Sequence, residues 1–328
     1  MDHNNNNQTN ELSVISPLVS SAVLDIFLLV VNFALCCSIS LVGVFTNLAN
    51  IVVYTKMGFS ETSNINFLAL SVFDLLVSLA AFVSKVFYSL FLRGVNIIPM
   101  LNVVTSMLTY IMFVAIGGSA MTTALISMER CLCVVFPLQM KTIMTQRRIL
   151  VLVMSIVIYH ALFIILLFTD TGFAYASYSS KIGFYYFSLY AVPSTTCFFI
   201  VLLTTIAMVI RLNKSLQWRK ETSQQRGRSS DKEGRIARTI IAISTIFIVC
   251  FFPNVANFLT QAAYPAYSYD NAYLWSLRTV IFTFTGLLQA ISSSINILFY
   301  YKMSSRYKKA FSDCFNLKKR FCVQQNTS

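Results

Sequence analysis

Residues 100–138 read MLNVVTSMLTYIMFVAIGGSAMTTALISMERCLCVVFPL, and the reading of this stretch decides the fold. From Met100 to Met128 it carries no charge, and then Glu129 and Arg130 stand side by side. About 20 mainly apolar residues in a helix cross a bilayer core. An acid–base pair at the end of such a run is costly to immerse in lipid, so it belongs at an interface or carries a function. Further apolar runs lie on both sides. Together they place seven spans at roughly 26–54, 64–92, 100–134, 149–169, 184–210, 237–262 and 273–301.

Composition agrees. Apolar residues make up 56 % of the 328 and charged residues 11 %, with a mean hydropathy of +0.68. A soluble domain is roughly a quarter charged, so this chain cannot cover itself with a wettable surface. The runs are long and continuous, unlike the ten-residue alternating strands of a membrane barrel. The expected fold is therefore an all-α membrane protein, a seven-transmembrane helix bundle. Residues 1–24 form a tail, 25–301 the bundle, and 302–328 a short amphipathic helix with its own tail.

Lys and Arg collect on the cytoplasmic side of membrane proteins. With the N-terminus outside, that side holds Lys56, Arg130, Lys141, Arg147 and Arg148, nine basic residues from Arg211 to Arg238, and seven from Lys302 to Arg320. Lys85, Arg93, Lys181 and Arg278 are left for the outer half. The orientation follows: N-terminus out, C-terminus in. The net charge of +13 is then a match to anionic inner-leaflet lipid and not a signal for nucleic acid. The polar, Asn-rich first 24 residues lack the charge and apolar core of a cleavable signal peptide, so the first span is expected to direct insertion. Asn7-Gln8-Thr9 fits the glycosylation acceptor pattern. In the C-terminal segment, Tyr307 and Phe311 share one helical face, with Arg306, Lys308 and Lys309 on the other. This reads as a helix lying on the membrane, with Cys314 and Cys322 beside it as candidate S-acylation sites. All eight cysteines fall in apolar runs or cytoplasmic segments. Neither a disulfide framework nor a metal-ligand spacing is offered.

Intramembrane polar groups face the bundle interior. Asp74 is central in the second span, and Asn47, Ser119, Asn296 and Ser292 to Ser294 sit at comparable depth in the first, third and seventh. Such a group could bind a sodium ion or an ordered-water cluster, or act only as a polar network joining helices. Pro193 and Pro253 each remove a helix hydrogen bond within spans five and six. Lys85 lies about 16 Å of helix rise beyond Asp74 towards the outside. Its amine either snorkels to the outer headgroups or points inward at an acidic ligand group, with Arg278 as a second cationic contact.

This constellation resembles the rhodopsin-like (class A) G protein-coupled receptors over nearly the whole chain. Asn47 looks like that family's first-helix asparagine, and Leu70-Ser-Val-Phe-Asp74 like its LxxxD. Glu129-Arg130-Cys131 is similar to (D/E)RY, Pro193 to the fifth-helix proline, Cys250-Phe-Phe-Pro253 to CWxP, and Asn296-Ile-Leu-Phe-Tyr300 to NPxxY. The resemblance implies a receptor at the plasma membrane that binds an external ligand, activates a heterotrimeric G protein when helix six swings outward, and is met by arrestin. It implies switch roles for Glu129, Arg130, Phe251, Pro253, Asn296 and Tyr300, with Glu233 as the acid that latches Arg130 at rest. It implies a ligand pocket including Met112, Tyr185, Asn254 and Phe258 beside Lys85 and Arg278. The run from Glu129 to Leu138 also looks like invertebrate, molluscan-type chemosensory or orphan peptide receptors.

The departures are specific. Thr105 replaces the third-helix cysteine, so the family's outer disulfide is not expected, and Phe251, Val201, Ile297 and Cys131 replace residues of the standard switches. Ala290 stands at the opsin lysine position, which excludes retinal, and Met112 at the position of the amine-binding acid. No cofactor is expected beyond the sodium ion at Asp74. A transporter or channel is the alternative, but internal repeats and a charged pathway through the membrane are missing from the sequence. An intramembrane enzyme would need paired catalytic groups, and Asp74 is the one mid-membrane acid while His160 lacks a partner in the sequence pattern.

Overall fold

A computed structural model describes residues 17–92, 98–136, 139, 142–171, 184–221, 228–264, 266–267 and 271–315. Among these, seven helices are long and apolar enough to cross a membrane. Helix α1 runs from Ser21–Phe27 through a π-helical stretch, Leu28–Leu35, into Cys36–Met57. Then come α2, Thr62–Leu92, α3, Ile98–Val135, and α4, Gln146–Thr171. Helix α5 starts with a π-helical turn, Tyr186–Ala191, and continues as Val192–Glu221. It is followed by α6, Arg228–Ala263, α7, Trp275–Met303, and the short α8, Ser305–Phe315.

Several helices outrun their apolar runs. Helix α1 begins at Ser21, inside the stretch expected to be tail, and α8 begins at Ser305 because α7 continues to Met303. The gap left between the fifth and sixth expected spans, 211–236, is mostly helix: α5 continues to Glu221 and α6 starts at Arg228. Lys, Arg, Glu and Gln are good helix formers, so a polar sequence ends the membrane span without ending the helix. Helix α1 does stop sharply. Gly58 adopts φ 76°, a left-handed conformation open to glycine at little steric cost.

Helix α3 is the central element, two-thirds buried over its apolar window, while α1 and α4 present long apolar faces outward. Phe45, Leu48 and Val52 of α1 and Val151, Ile158, Leu162 and Ile165 of α4 are exposed at helical spacing. In a bilayer these are the lipid-facing stripes.

The buried stripe of α1 is polar and small: Asn32, Cys36, Ser40, Gly43, Asn47 and Asn50. Gly43 allows three helices to meet. A Cβ there would lie 2.5 Å from Ser294 Oγ on α7 and still closer to Ser78 Oγ on α2. Across this contact Asn47 Nδ2 donates to the Ser293 carbonyl at 2.8 Å, Thr46 Oγ1 to the Ser294 carbonyl at 3.2 Å, and Ser294 Oγ to the Ile39 carbonyl at 3.1 Å. Small residues that let backbones approach, with hydrogen bonds across the seam, are how helices associate where lipid removes the hydrophobic drive.

Pro193 also has a local solution. Lacking an N–H, it leaves the Leu189 carbonyl without its usual α-helical partner. The hydroxyl of Tyr159, on α4, donates to that carbonyl at 2.8 Å. The bond ties α4 to α5 where the π-helical turn ends. Tyr159→Phe should therefore lower stability by ~0.5–1.5 kcal/mol, the net worth of one part-buried hydrogen bond. Gly43→Val should lower it at least as much by forcing α1 off α2 and α7, read for both as a drop in the thermal midpoint of the purified protein.

Candidate functional site

The acid–base pair of the opening stretch sits at the cytoplasmic end of α3. Glu129 is 1 % exposed, and a buried carboxylate is tolerated only when its lone pairs are filled. Three donors fill them: Thr62 Oγ1 at 2.5 Å, Asn66 Nδ2 at 2.6 Å, and Arg130 Nη2 at 3.3 Å. The Arg130 guanidinium also donates to Ser63 Oγ in a short bond. Its Nε is buried with no partner among the described residues. So the arginine is held through α2 and its own neighbour. The side chain of Glu233, the expected latch, lies outside the described residues.

Thr62, Ser63 and Asn66 were not singled out from the sequence. The signal was there: the polar run Thr62-Ser-Asn-Ile-Asn66 opens the second span, and Thr62 and Asn66 are four apart on one helical face.

At mid-membrane the structure brings Asp74, Ser119 and Asn296 together. Ser119 Oγ donates to Asp74 Oδ1 and Asn296 Nδ2 to Oδ2, each at 2.7 Å. Two other expected members lie elsewhere. Asn47 spends its amide on the Gly43 and Ser293 carbonyls, and Ser293, not Ser292, is the α7 serine whose hydroxyl meets Ser78, at 3.3 Å. Each Asp74 oxygen accepts one bond and retains acceptor capacity, and the set is oxygen-rich. That donor chemistry fits a hard monovalent cation.

A second polar chain runs from α8 into the core. Tyr307 donates its hydroxyl to Asn50 Oδ1 at 2.5 Å, and Asn50 Nδ2 reaches Asn47 Oδ1 at 3.5 Å. Burial pushes the Tyr307 phenol well above the usual tyrosine range, so it stays a neutral donor. Its ring packs in an aromatic group with Tyr54, Phe67 and Tyr300, with centroids 4.9 to 5.6 Å apart where Tyr300 touches the others. The Tyr300 hydroxyl is buried there without a partner among the described residues. In α6, Phe251 stacks on Phe247 at 5.0 Å, two residues before Pro253, whose missing N–H frees the Val249 carbonyl.

In the outer half, Phe258 of α6 packs edge-on against Tyr190 of α5 at 5.6 Å, and Asn254 Nδ2 reaches the Tyr190 hydroxyl at 3.5 Å. Met112 and Tyr185 pack against the same cluster. Phe113, Tyr186 and Tyr190 complete it and were missed, because aromatic residues in a membrane span read as ordinary core. The two cations are elsewhere. Arg278 lies over the Tyr267 ring at 5.5 Å and donates to its carbonyl at 3.2 Å. Lys85 is half-buried and within electrostatic reach of Cys36 and Cys37 on α1. Of the expected modification sites, Asn7 and Cys322 lie outside the described residues, while Cys314 is a free, half-buried thiol on α8. None of the described cysteines forms a disulfide with another.

The model of one protein family, described as 7 transmembrane receptor (rhodopsin family), matches residues 46–300. No curated protein matches the chain.

Tyr307→Phe keeps the ring and removes the hydroxyl. It should raise amide hydrogen exchange across Ser305–Phe315 several-fold, as expected for ~1 kcal/mol of lost hydrogen bonding. Unchanged exchange would mean that the aromatic packing alone holds α8.

Proposed function

The chain belongs to the rhodopsin family of seven-transmembrane receptors, and from that premise we propose that it binds an extracellular ligand and activates a heterotrimeric G protein by outward movement of α6. The ligand is a chemosensory small molecule or a peptide. The protein is a multi-pass membrane protein whose site of action in this reading is the plasma membrane, with arrestin as a second cytoplasmic partner. It signals and does not catalyse.

The observation that carries the reading is Arg130. It sits at the basic, cytoplasmic end of the central helix, restrained by Glu129 and Ser63, with one buried donor unspent. Such a cation is poised to change partners, since each restraint is a single hydrogen bond and not a packed core. Helix α6 can move because Pro253 weakens it at mid-membrane and because its ring contact with α5, Phe251 on Phe198 at 6.5 Å, can slide. In the resting state Glu233 adds a latch from α6. When α6 leaves, Arg130 and the opened cavity receive a helix of the G protein, and Tyr300 with Asn296 repacks.

The ligand enters above the aromatic cluster, where Tyr190, Phe258, Asn254, Met112 and Tyr185 converge from three helices. Lys85 and Arg278 supply cationic contacts on the α2 and α7 side of the outer half. A sodium ion at Asp74, with Ser119 beside it, would stabilise the resting packing, and Asp74→Asn would then abolish any sodium dependence of agonist affinity.

Basal and agonist-driven G-protein signalling in cells test the reading, with surface expression measured in parallel. Arg130→Ala should remove coupling. Glu233→Ala should raise ligand-independent signalling roughly twofold to fivefold, as expected for an ion pair worth ~0.5–1 kcal/mol. An unchanged basal level in a well-expressed variant sinks the latch. Lys85→Ala should abolish the response to an acidic agonist, and retained potency would mean that the amine snorkels to the headgroups instead.

A further inference from the structure

Above the close contact of α1, α2 and α7 at Gly43, three helix faces continue outward and stay turned to one another. On α1, Ser40 and Cys36 lie three and seven residues before Gly43, and both are buried. On α2, Lys85 lies seven residues beyond Ser78. On α7, Gln289 and Gly286 lie four and seven residues before Ser293, whose hydroxyl meets that of Ser78 at 3.3 Å. Residues three, four and seven apart share a helix face, so all of these look into one seam. Side chains also lean towards the N-terminus of their helix. Helix α2 runs outward and α7 inward, so Lys85 leans down the seam and Gln289 leans up it.

The seam is lined by unspent donors. Among the described residues, Ser40 Oγ and Gln289 Nε2 are buried without a hydrogen-bond partner, and Ser40 is 0 % exposed. Lys85 is half-buried, within electrostatic reach of Cys36, and in no ion pair with a described carboxylate. An ammonium inside a bundle is costly until an acceptor meets it. About one turn above Gln289, a Cβ on Gly286 would meet no atom within 4 Å, so the seam is open there. A further turn up the same face, Phe282 reaches the outer aromatic cluster through Phe113, with ring centroids 6.5 Å apart. The seam thus has a cationic, donor-lined lower end and an aromatic upper end, about 10 Å apart along α7.

Taking the chain as a receptor for an external ligand, we propose that this ligand is a monocarboxylic acid with an apolar body. Its carboxylate binds in the seam between Lys85, Gln289 Nε2 and Ser40 Oγ. Two carboxylate oxygens accept from an ammonium, an amide N–H and a hydroxyl at once. One negative charge matches one ammonium. A phosphate monoester would bring a second charge, and among the described residues no second cation stands at that level. A neutral amide would satisfy Gln289 and Ser40 and leave Lys85 unpaired, while an amine would be repelled. The body of the acid passes Gly286 towards Phe282 and Phe113, where burial of its apolar surface adds to the charge pairing.

The test uses the full chain in phosphatidylcholine nanodiscs, with radiolabelled decanoate and decanamide as probes and empty nanodiscs as the baseline in equilibrium dialysis. Decanoate should bind saturably, and decanamide roughly tenfold more weakly, because a charged hydrogen bond is exchanged for a neutral one. Lys85→Met should weaken decanoate roughly tenfold to a hundredfold, and Gln289→Leu or Ser40→Ala roughly threefold to tenfold. Gly286→Val, which narrows the route to Phe282, should weaken both probes. Lys56→Met, which removes a cation at the cytoplasmic end of α1, should leave decanoate binding unchanged. Lys85→Glu should reverse the choice, so that decylamine binds in preference to decanoate, a gain that misfolding cannot mimic. Decanoate held no better than by empty nanodiscs, equal affinity for decanamide, or indifference to both Lys85 variants overturns the assignment. Failure here leaves the G-protein reading intact, because that reading is scored by the basal signalling of the Arg130 and Glu233 variants, which needs no ligand.

Discussion

The buried carboxylate of Glu129 is the constraint on which the cytoplasmic half depends. A charge so fully removed from water must be surrounded by donors, and breaking such a set costs ~3–5 kcal/mol. Thr62 and Asn66 supply two of them from α2, which fixes the register of α2 against α3. The same carboxylate then draws in Arg130, whose remaining reach is spent on Ser63. Glu129 therefore orders two helices and presents its neighbour to the cytosol. Higher up, Asp74 does similar work between α2, α3 and α7.

Two polar chains thread the bundle, and they converge on α7. One is Ser119–Asp74–Asn296. The other runs from Tyr307 through Asn50 and Asn47 to the Ser293 carbonyl, with Ser293 one helical turn before Asn296. Helix α7 is thus gripped by side-chain bonds from α1 and α2, whereas α6 meets α5 through ring contacts, Phe251 on Phe198 at 6.5 Å and Phe258 on Tyr190 at 5.6 Å, beside two long polar contacts, Ser244 to Ser127 at 3.4 Å and Asn254 to Tyr190 at 3.5 Å. Directional bonds resist sliding and ring stacks permit it. The difference is a physical ground, separate from any family likeness, for the proposal that α6 is the part that moves.

Much of this could be read from the sequence, for a definite reason. Lipid leaves the chain few options, so apolar runs of bilayer length become spans, and the rare intramembrane polar groups must face one another. The meeting of Asp74 with Ser119 and Asn296 is legible in that way. Asn47 is not, because its partners are the backbone carbonyls of Gly43 and Ser293, which carry no sequence signal. Helix ends were misplaced because hydropathy marks where lipid stops, while Arg228 to Arg238 keeps good helical propensity beyond it. The role of Ser63 appears only once α3 lies alongside, because a serine at a helix start carries no signal beyond that of an ordinary cap. The position of Lys85 against Cys36 needed the crossing of α1 and α2, which hydrophobic periodicity does not specify.

The anchoring of α8 has a consequence for timing. Its bonds run to Asn50 and Glu61 and its rings to Tyr54 and Tyr300, all on the α1, α2 and α7 side of the bundle. The outward movement proposed for α6 would leave that side in place. Lys308 and Lys309 of α8, with Lys302 at the end of α7, would therefore stand at the same depth before and after the stroke, a stationary quay beside a moving gate. A basic rim at constant depth would keep the cytoplasmic face seated against the anionic inner leaflet throughout, so the cost of the stroke would not include lifting that charge off the membrane.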